Sequence, residues 1–183
     1  GSPAGLSGAI FYAAHSMVVM TALYFAAGIG ARLGGSFELT SAGGLYASNA
    51  FLAAMTLILF LSVAGLPPFS GLWPKIMLVK ASLDIGAWWL AASILVTGFL
   101  TTITVGRIWV LAYWRPAPGG DDADTLPVAL PAGATVALAG LVAITIAAGV
   151  WPEPVMALAQ DAARGLIDPS AYVLSVFPVE ASQ

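Results

Sequence analysis

The hydrophobic positions fall into long, nearly uninterrupted runs, separated by short stretches that hold almost all of the charges. Runs of about 20 apolar residues match the thickness of a bilayer, which predicts membrane-spanning helices. The first run extends from about Leu6 to Ala31, followed by Arg32 and a Gly-rich loop with Glu38, Thr40 and Ser41. Its Gly8, Ala13, Ala14, Ala26, Ala27 and Gly28 suit close packing against other helices.

A second run starts near Tyr46 and stops at Gly65-Leu66-Pro67-Pro68, because two prolines after a glycine cannot continue a helix. Apolar character resumes from Phe69 to Leu83, a piece too short to span alone and interrupted by Lys75 and Lys80. The expectation is one discontinuous helix over 46–83, broken near 65–69. A third run covers about 87–114, with Trp88, Trp89, Trp109, Tyr113 and Trp114 near its ends, as interfacial aromatics are placed. After a polar loop from Arg115 to Asp122, a fourth run covers about 126–150. Residues 152–183 form a C-terminal tail whose stretch from Pro154 to Leu166 is weakly amphipathic and expected at the membrane surface.

The fold class is therefore all-α, a polytopic membrane helix bundle with about four crossings. A single crossing for 46–83 puts the loops of Arg32 and Arg115 on one side, as the positive-inside tendency favours. Two crossings, five in all, would part them.

Composition sharpens this picture. Hydrophobic residues make up 60% of the chain and charged ones 8%, against roughly 25% charged in a soluble domain. So few charges cannot cover a water-exposed surface. A net charge of −3 gives no electrostatic support for nucleic-acid binding. No cysteine is present, which excludes disulfides, thiolate metal sites and iron–sulfur clusters. One histidine and no acidic cluster argue against a structural metal, and no phosphate loop, dinucleotide fingerprint or catalytic triad occurs. No cofactor is expected. The N-terminus has no basic region or evident cleavage site, so it does not read as a signal peptide.

Lys75 is the informative residue, because an ionisable side chain inside an apolar stretch is expensive and points to function. Ser70 is expected to cap the resumed helix, and Pro74 is tolerated in its first turn. Lys75 would then sit near a helix N-terminus, where burial and the positive backbone potential both disfavour an ammonium. A lysine so placed can take and release a proton. The alternative is that it snorkels to an interface and anchors the helix.

His15 lies mid-span, with Tyr12, Ser16 and Val19 on its general face. It can pass a proton between its two nitrogens, or it can be a packed histidine bonded to a helix carbonyl. Lys80 and Asp84, spaced i, i+4, read as a local ion pair. Thr97, Thr101, Thr104 and Arg107 form a stripe that either lines a wet path or bonds its own helix carbonyls.

Three stretches carry a resemblance. They are Gly8-Ala9-Ile10-Phe11-Tyr12 with His15 and Thr21-Ala22-Leu23, and Ala64-Gly65-Leu66-Pro67-Pro68-Phe69-Ser70-Gly71 with Trp73-Pro74-Lys75. The third is Ile167-Asp168-Pro169-Ser170-Ala171-Tyr172 with Val176. Together the chain resembles the C-terminal part of the D subunit of the Mrp-type Na+/H+ antiporters, a family homologous to the proton-pumping membrane subunits of respiratory complex I. The resemblance implies that Lys75 is the lysine of a broken helix on a central polar axis, and that His15 passes protons along it. It also implies a multi-pass place in the cell (inner) membrane, other antiporter subunits as partners, and protons with Na+ or K+ as cargo.

One departure matters. Family members often carry a lysine where Met20 stands, and a methionine cannot titrate. The resemblance covers nearly the whole chain but only about the last third of a family member. The family's glutamate–lysine pair and a further central lysine lie outside this sequence, so the chain alone is not expected to transport. A pumping subunit of a complex I-type oxidoreductase or hydrogenase, and a structural membrane module without transport, remain as alternatives.

Overall fold

The computed structural model describes residues 2–39, 41–116 and 131–176. Thr40, the loop aspartates Asp121 and Asp122, the first residues expected of the fourth span (126–130) and the end of the tail (177–183) lie outside them.

Helix α1 (Pro3–Gly34) starts under a Ser2 cap that accepts from Gly5 N, and stops at Gly35 in the left-handed conformation. The short α2 (Leu45–Ser48) is followed by α3 (Ala50–Ala64), which Asn49 caps by accepting from Leu52 N. Then come α4 (Leu72–Asp84) and α5 (Trp88–Trp109), which runs on into a π-helical turn at Val110–Trp114. The chain continues with α6 (Ala132–Val150), α7 (Glu153–Ile167) and α8 (Ser170–Val176). All regular structure among the described residues is helical. The spans of α1, α5–π and α6 are long and apolar enough to cross a membrane.

Packing fixes the direction of each helix. Gly30 and Gly34 near the end of α1 face Leu45, so α2 sits where α1 finishes. Gly5 and Gly8 near its start face Ala81, Met77 and Leu78, so the second half of α4 sits where α1 begins. Helices α3 and α4 together therefore make one traverse in two pieces. Helix α5 returns, and its end meets the loop before α2: Gly44 N donates to Arg115 O at 2.7 Å, and the Arg115 guanidinium donates to Leu39 O and Ala42 O. Arg32 and Arg115 thus share one end of the bundle.

The core is apolar and built at two levels. Val19, Ala22, Ala26 and Ile29 of α1 close on Leu52, Met55 and Leu59 of α3 and on Leu138 and Val142 of α6. Beside them, Phe60, Trp109, Ala112 and Tyr113 form a second cluster, with Trp109 and Tyr113 stacked at 4.5 Å. Burying side chains of this size stabilises by about 1.5–3 kcal/mol each where water is the alternative. Against lipid the contribution comes from packing instead. The outer face of α5 (Leu95, Val96, Phe99, Leu100, Ile103) stays exposed, as a membrane-facing surface requires.

The stretch from Pro154 to Leu166 was expected at the membrane surface. That stretch lies within α7, which packs lengthwise on the first half of α1 and buries Ala159 and Ala163 there. Met156, Gln160 and Arg164 line a cleft of about 340 Å³ with Pro3, Ser7 and Asp84. The steps along α7, α1 and α4 match, so α7 runs from the depth of the α3–α4 break to the end where α1 starts.

Candidate functional site

The site lies where the chain breaks between α3 and α4, over residues 65–71. At the end of any α-helix four carbonyls lack partners within the helix. Here Gly65, at φ +84, turns the chain so that Gly65 N reaches Leu61 O and Ser62 O, and Leu66 N reaches Leu61 O. That closes two of the four carbonyls. The other two, Val63 O and Ala64 O, accept from Lys75 Nζ at 2.8 and 2.6 Å. The break therefore leaves a place for one amine, and Lys75 fills it from the first turns of α4. Leu66-Pro67-Pro68-Phe69, with a cis bond between the prolines, carries the chain across the gap.

This corrects the expected electrostatics. Lys75 does lie in an early turn of α4, but its amine folds back to the carbonyl end of α3. The backbone potential there has the opposite sign to that of a helix N-terminus. Nor does Lys75 snorkel to an interface: the amine is turned inward on the break. Ser70 also differs from expectation. The residue before α4 is Gly71, and no side chain caps that helix.

Ser70 instead bridges two helices. Its Oγ lies 2.9 Å from His15 Nδ1 and 3.2 Å from Ser62 Oγ, with either partner able to donate according to the imidazole tautomer. His15, Ser62 and Ser70 are 8%, 0% and 2% exposed, so this chain of polar groups is enclosed. His15 therefore bonds a hydroxyl at the break, not a helix carbonyl. Tyr12 lies tilted beside it at 6.3 Å between ring centroids, and Met20 points outward. Ser62 carried no signal in the sequence: a serine among Leu61 and Val63 reads as an ordinary apolar-helix residue, and only the fold brings it to Ser70.

The amine borders two clefts between α4 and α5. One, of about 200 Å³, is lined by Tyr12, Ser93, Thr97 and Thr101; the other, of about 470 Å³, extends towards Lys80 and Asp84. Both are roomy enough for water, and the first has hydroxyls to hold it. Thr97, Thr101 and Thr104 each donate to the carbonyl four residues earlier. Thr97 and Thr101 still line the cleft, whereas Thr104 and Arg107 face outward. Lys80 and Asp84 pair at 3.2 Å, both well exposed. Among the described residues no three carboxylate, histidine or cysteine side chains come together as a metal site.

The chemistry open to Lys75 follows from counting hydrogens. An ammonium has three, and two go to the carbonyls. A neutral amine keeps two N–H donors and gains a lone pair. Both carbonyl bonds can therefore survive loss of the proton, and the break can hold its shape in either state.

A two-piece helix with an amine in its gap, inside a polytopic bundle, is the arrangement in which transport proteins build ion sites. The match to known proteins makes the assignment specific: residues 1–101 fit the model of the NADH:quinone oxidoreductase/Mrp antiporter transmembrane family, and the chain belongs to that family. Similar proteins include the D subunit of the Na(+)/H(+) antiporter of Alkalihalophilus pseudofirmus, 33% identical over 174 residues, covering 93% of this chain and 34% of that protein. The N subunit of the NADH-quinone oxidoreductase of Heliobacterium modesticaldum is 30% identical over 165 residues, covering 88% of this chain and 33% of that protein. A chain in the structure of the Mrp complex from Dietzia sp. DQ12-45-1b superposes with a TM-score of 0.80 at 27% identity, over 96% of this chain and 40% of that one. The chain spans about a third of the length of the curated relatives it matches.

Proposed function

We propose that the chain is the C-terminal third of a membrane subunit in a multi-subunit Na+ or K+/proton antiporter of the cell membrane. In this reading Lys75 and His15 belong to an intramembrane proton relay. The observation that carries it is the amine of Lys75 closing the last two carbonyls of α3, next to the enclosed His15–Ser70–Ser62 chain. A lysine placed for anchoring alone would reach headgroups. The protein works as a transporter component, not as an enzyme, alongside the other subunits of the antiporter.

The test is cation-dependent proton exchange in inverted vesicles carrying the complete complex. Lys75→Ala is expected to abolish exchange while the complex still assembles. Normal exchange in that variant would refute the relay and leave a structural module.

A second reading has one observation in its favour, the similarity to a protein named for an NADH-quinone oxidoreductase. The chain would then serve a redox-driven pump. Proton movement would follow quinone reduction rather than added Na+ or K+, and the same vesicles distinguish the two.

A further inference from the structure

The relay reading leaves open what holds Ser70 in place. Ser70 sits on an irregular segment with no helix of its own, yet its hydroxyl must meet groups on both α1 and α3. The structure places a third element under that segment. A Cβ on Gly149, in the last turn of α6, would collide with Pro68 O and lie 2.7 Å from Phe69 C and Ser70 N. The main chain of the break thus rests directly on α6, at a spot where only glycine fits. Three residues beyond Ser70, Trp73 reaches over the same spot, and its Nε1 donates to Gly149 O at 2.7 Å. That carbonyl belongs to the group at a helix end that needs an outside partner. Gly149 is therefore gripped from both sides, by the break below and the indole above.

We propose that Trp73 is a positioning residue: through its hydrogen bond to Gly149 it holds the α3–α4 break against the end of α6, and so holds Ser70 between His15 and Ser62. This rests on the relay reading. Trp73 touches neither Lys75's carbonyl partners nor His15 by a hydrogen bond of its own. Its effect on proton transfer runs through Ser70.

The test uses the complete complex with Trp73→Phe, which removes the N–H and keeps an aromatic ring, together with Ser70→Ala and the double variant. Three measurements are made: amide hydrogen exchange across 66–72, cation-driven proton exchange per assembled complex, and its solvent deuterium isotope effect. Trp73→Phe is expected to speed amide exchange at the break and slow proton exchange about threefold to tenfold, the size of one hydrogen bond. Its isotope effect should rise, because misplaced proton donors make transfer limiting, whereas fewer working complexes leave it unchanged. The double variant should be no slower than Ser70→Ala alone, since Trp73 then has nothing left to position.

Unchanged amide exchange at the break overturns the proposal. So do losses that multiply in the double variant when Ser70→Ala is itself defective, and in that case the relay survives. Normal proton exchange in Ser70→Ala and Lys75→Ala sinks the relay itself, and the role of Trp73 falls with it. If Trp73→Phe does not assemble, Trp73→His, which keeps a ring N–H, must restore assembly and slow amide exchange across 66–72; failure to do so overturns the proposal.

Discussion

Gly65→Ala isolates the hold of the break on its lysine. Gly65 has φ +84, and an added Cβ would stand 2.7 Å from Lys75 Cδ and 2.8 Å from Nζ. The left-handed backbone costs a residue with a side chain about 1–2 kcal/mol. Unbonded heavy atoms settle at about 3.5–4.0 Å, so the end of the lysine must retreat by about 1 Å. Its bonds to Val63 O and Ala64 O, now 2.8 and 2.6 Å, then pass beyond hydrogen-bonding reach, about 3.5 Å. Each enclosed carbonyl left without a partner costs about 1–3 kcal/mol.

The whole change, two carbonyls and the backbone together, comes to roughly 3–8 kcal/mol. Gly86→Ala is the control, because Gly86 has φ +71 with nothing within 4 Å of an added Cβ. It is charged only the backbone part, about 1–2 kcal/mol. The assays are the thermal midpoint of the purified complex and proton exchange in vesicles. Gly65→Ala should melt several degrees below Gly86→Ala and lose most exchange, while Gly86→Ala exchanges normally. Equal midpoints with normal exchange in both variants would refute the account of how the lysine is held.

Two further predictions concern groups outside the relay. Tyr113 OH donates to the buried Thr56 Oγ1 at 2.9 Å. Thr56→Val strands the phenol and should lower the thermal midpoint by the equivalent of about 1–3 kcal/mol, with exchange intact. Asp84→Asn removes the exposed Lys80–Asp84 pair; stability should move by no more than about 0.5 kcal/mol, and exchange should not change.

The helices and the place of the break were legible because glycine and tandem prolines act locally. No neighbour is needed to know that Gly65-Leu66-Pro67-Pro68 ends a helix. His15 and Lys75 stood out for the same reason, as titratable groups in apolar runs. What was not legible depends on where distant residues arrive. Ser70 has the chemistry of a helix cap, and local reasoning assigns it that role. It is drawn away by His15, 55 positions earlier in the chain. The direction of the Lys75 side chain followed local reasoning too, until the Gly65 turn left two carbonyls facing it. The amphipathic pattern of Pro154 to Leu166 was legible, but the packing of Ala159 and Ala163 of α7 on α1 was not, because alanines carry little signal. The π-turn at 110–114, which sets Tyr113 over Thr56, leaves no mark in hydropathy.

Helix α5 runs unbroken past the gap and acts as a ruler for it. Gly98 of α5 lies beside Lys75 Nζ, which stands 3.8 Å from where its Cβ would be. It lies ten residues after Trp88 and sixteen before Trp114 (98 − 88 and 114 − 98), or about 15 Å and 24 Å at helical rise. If the membrane spans Trp88 to Trp114, a proton of the proposed relay reaching Lys75 from the Trp88 side crosses about 0.4 of the field. At 100 mV that is worth about 0.9 kcal/mol, roughly a fivefold bias in occupancy of the amine. In the proposed relay, membrane voltage, and not only the pH on either side, would set how often this lysine is charged.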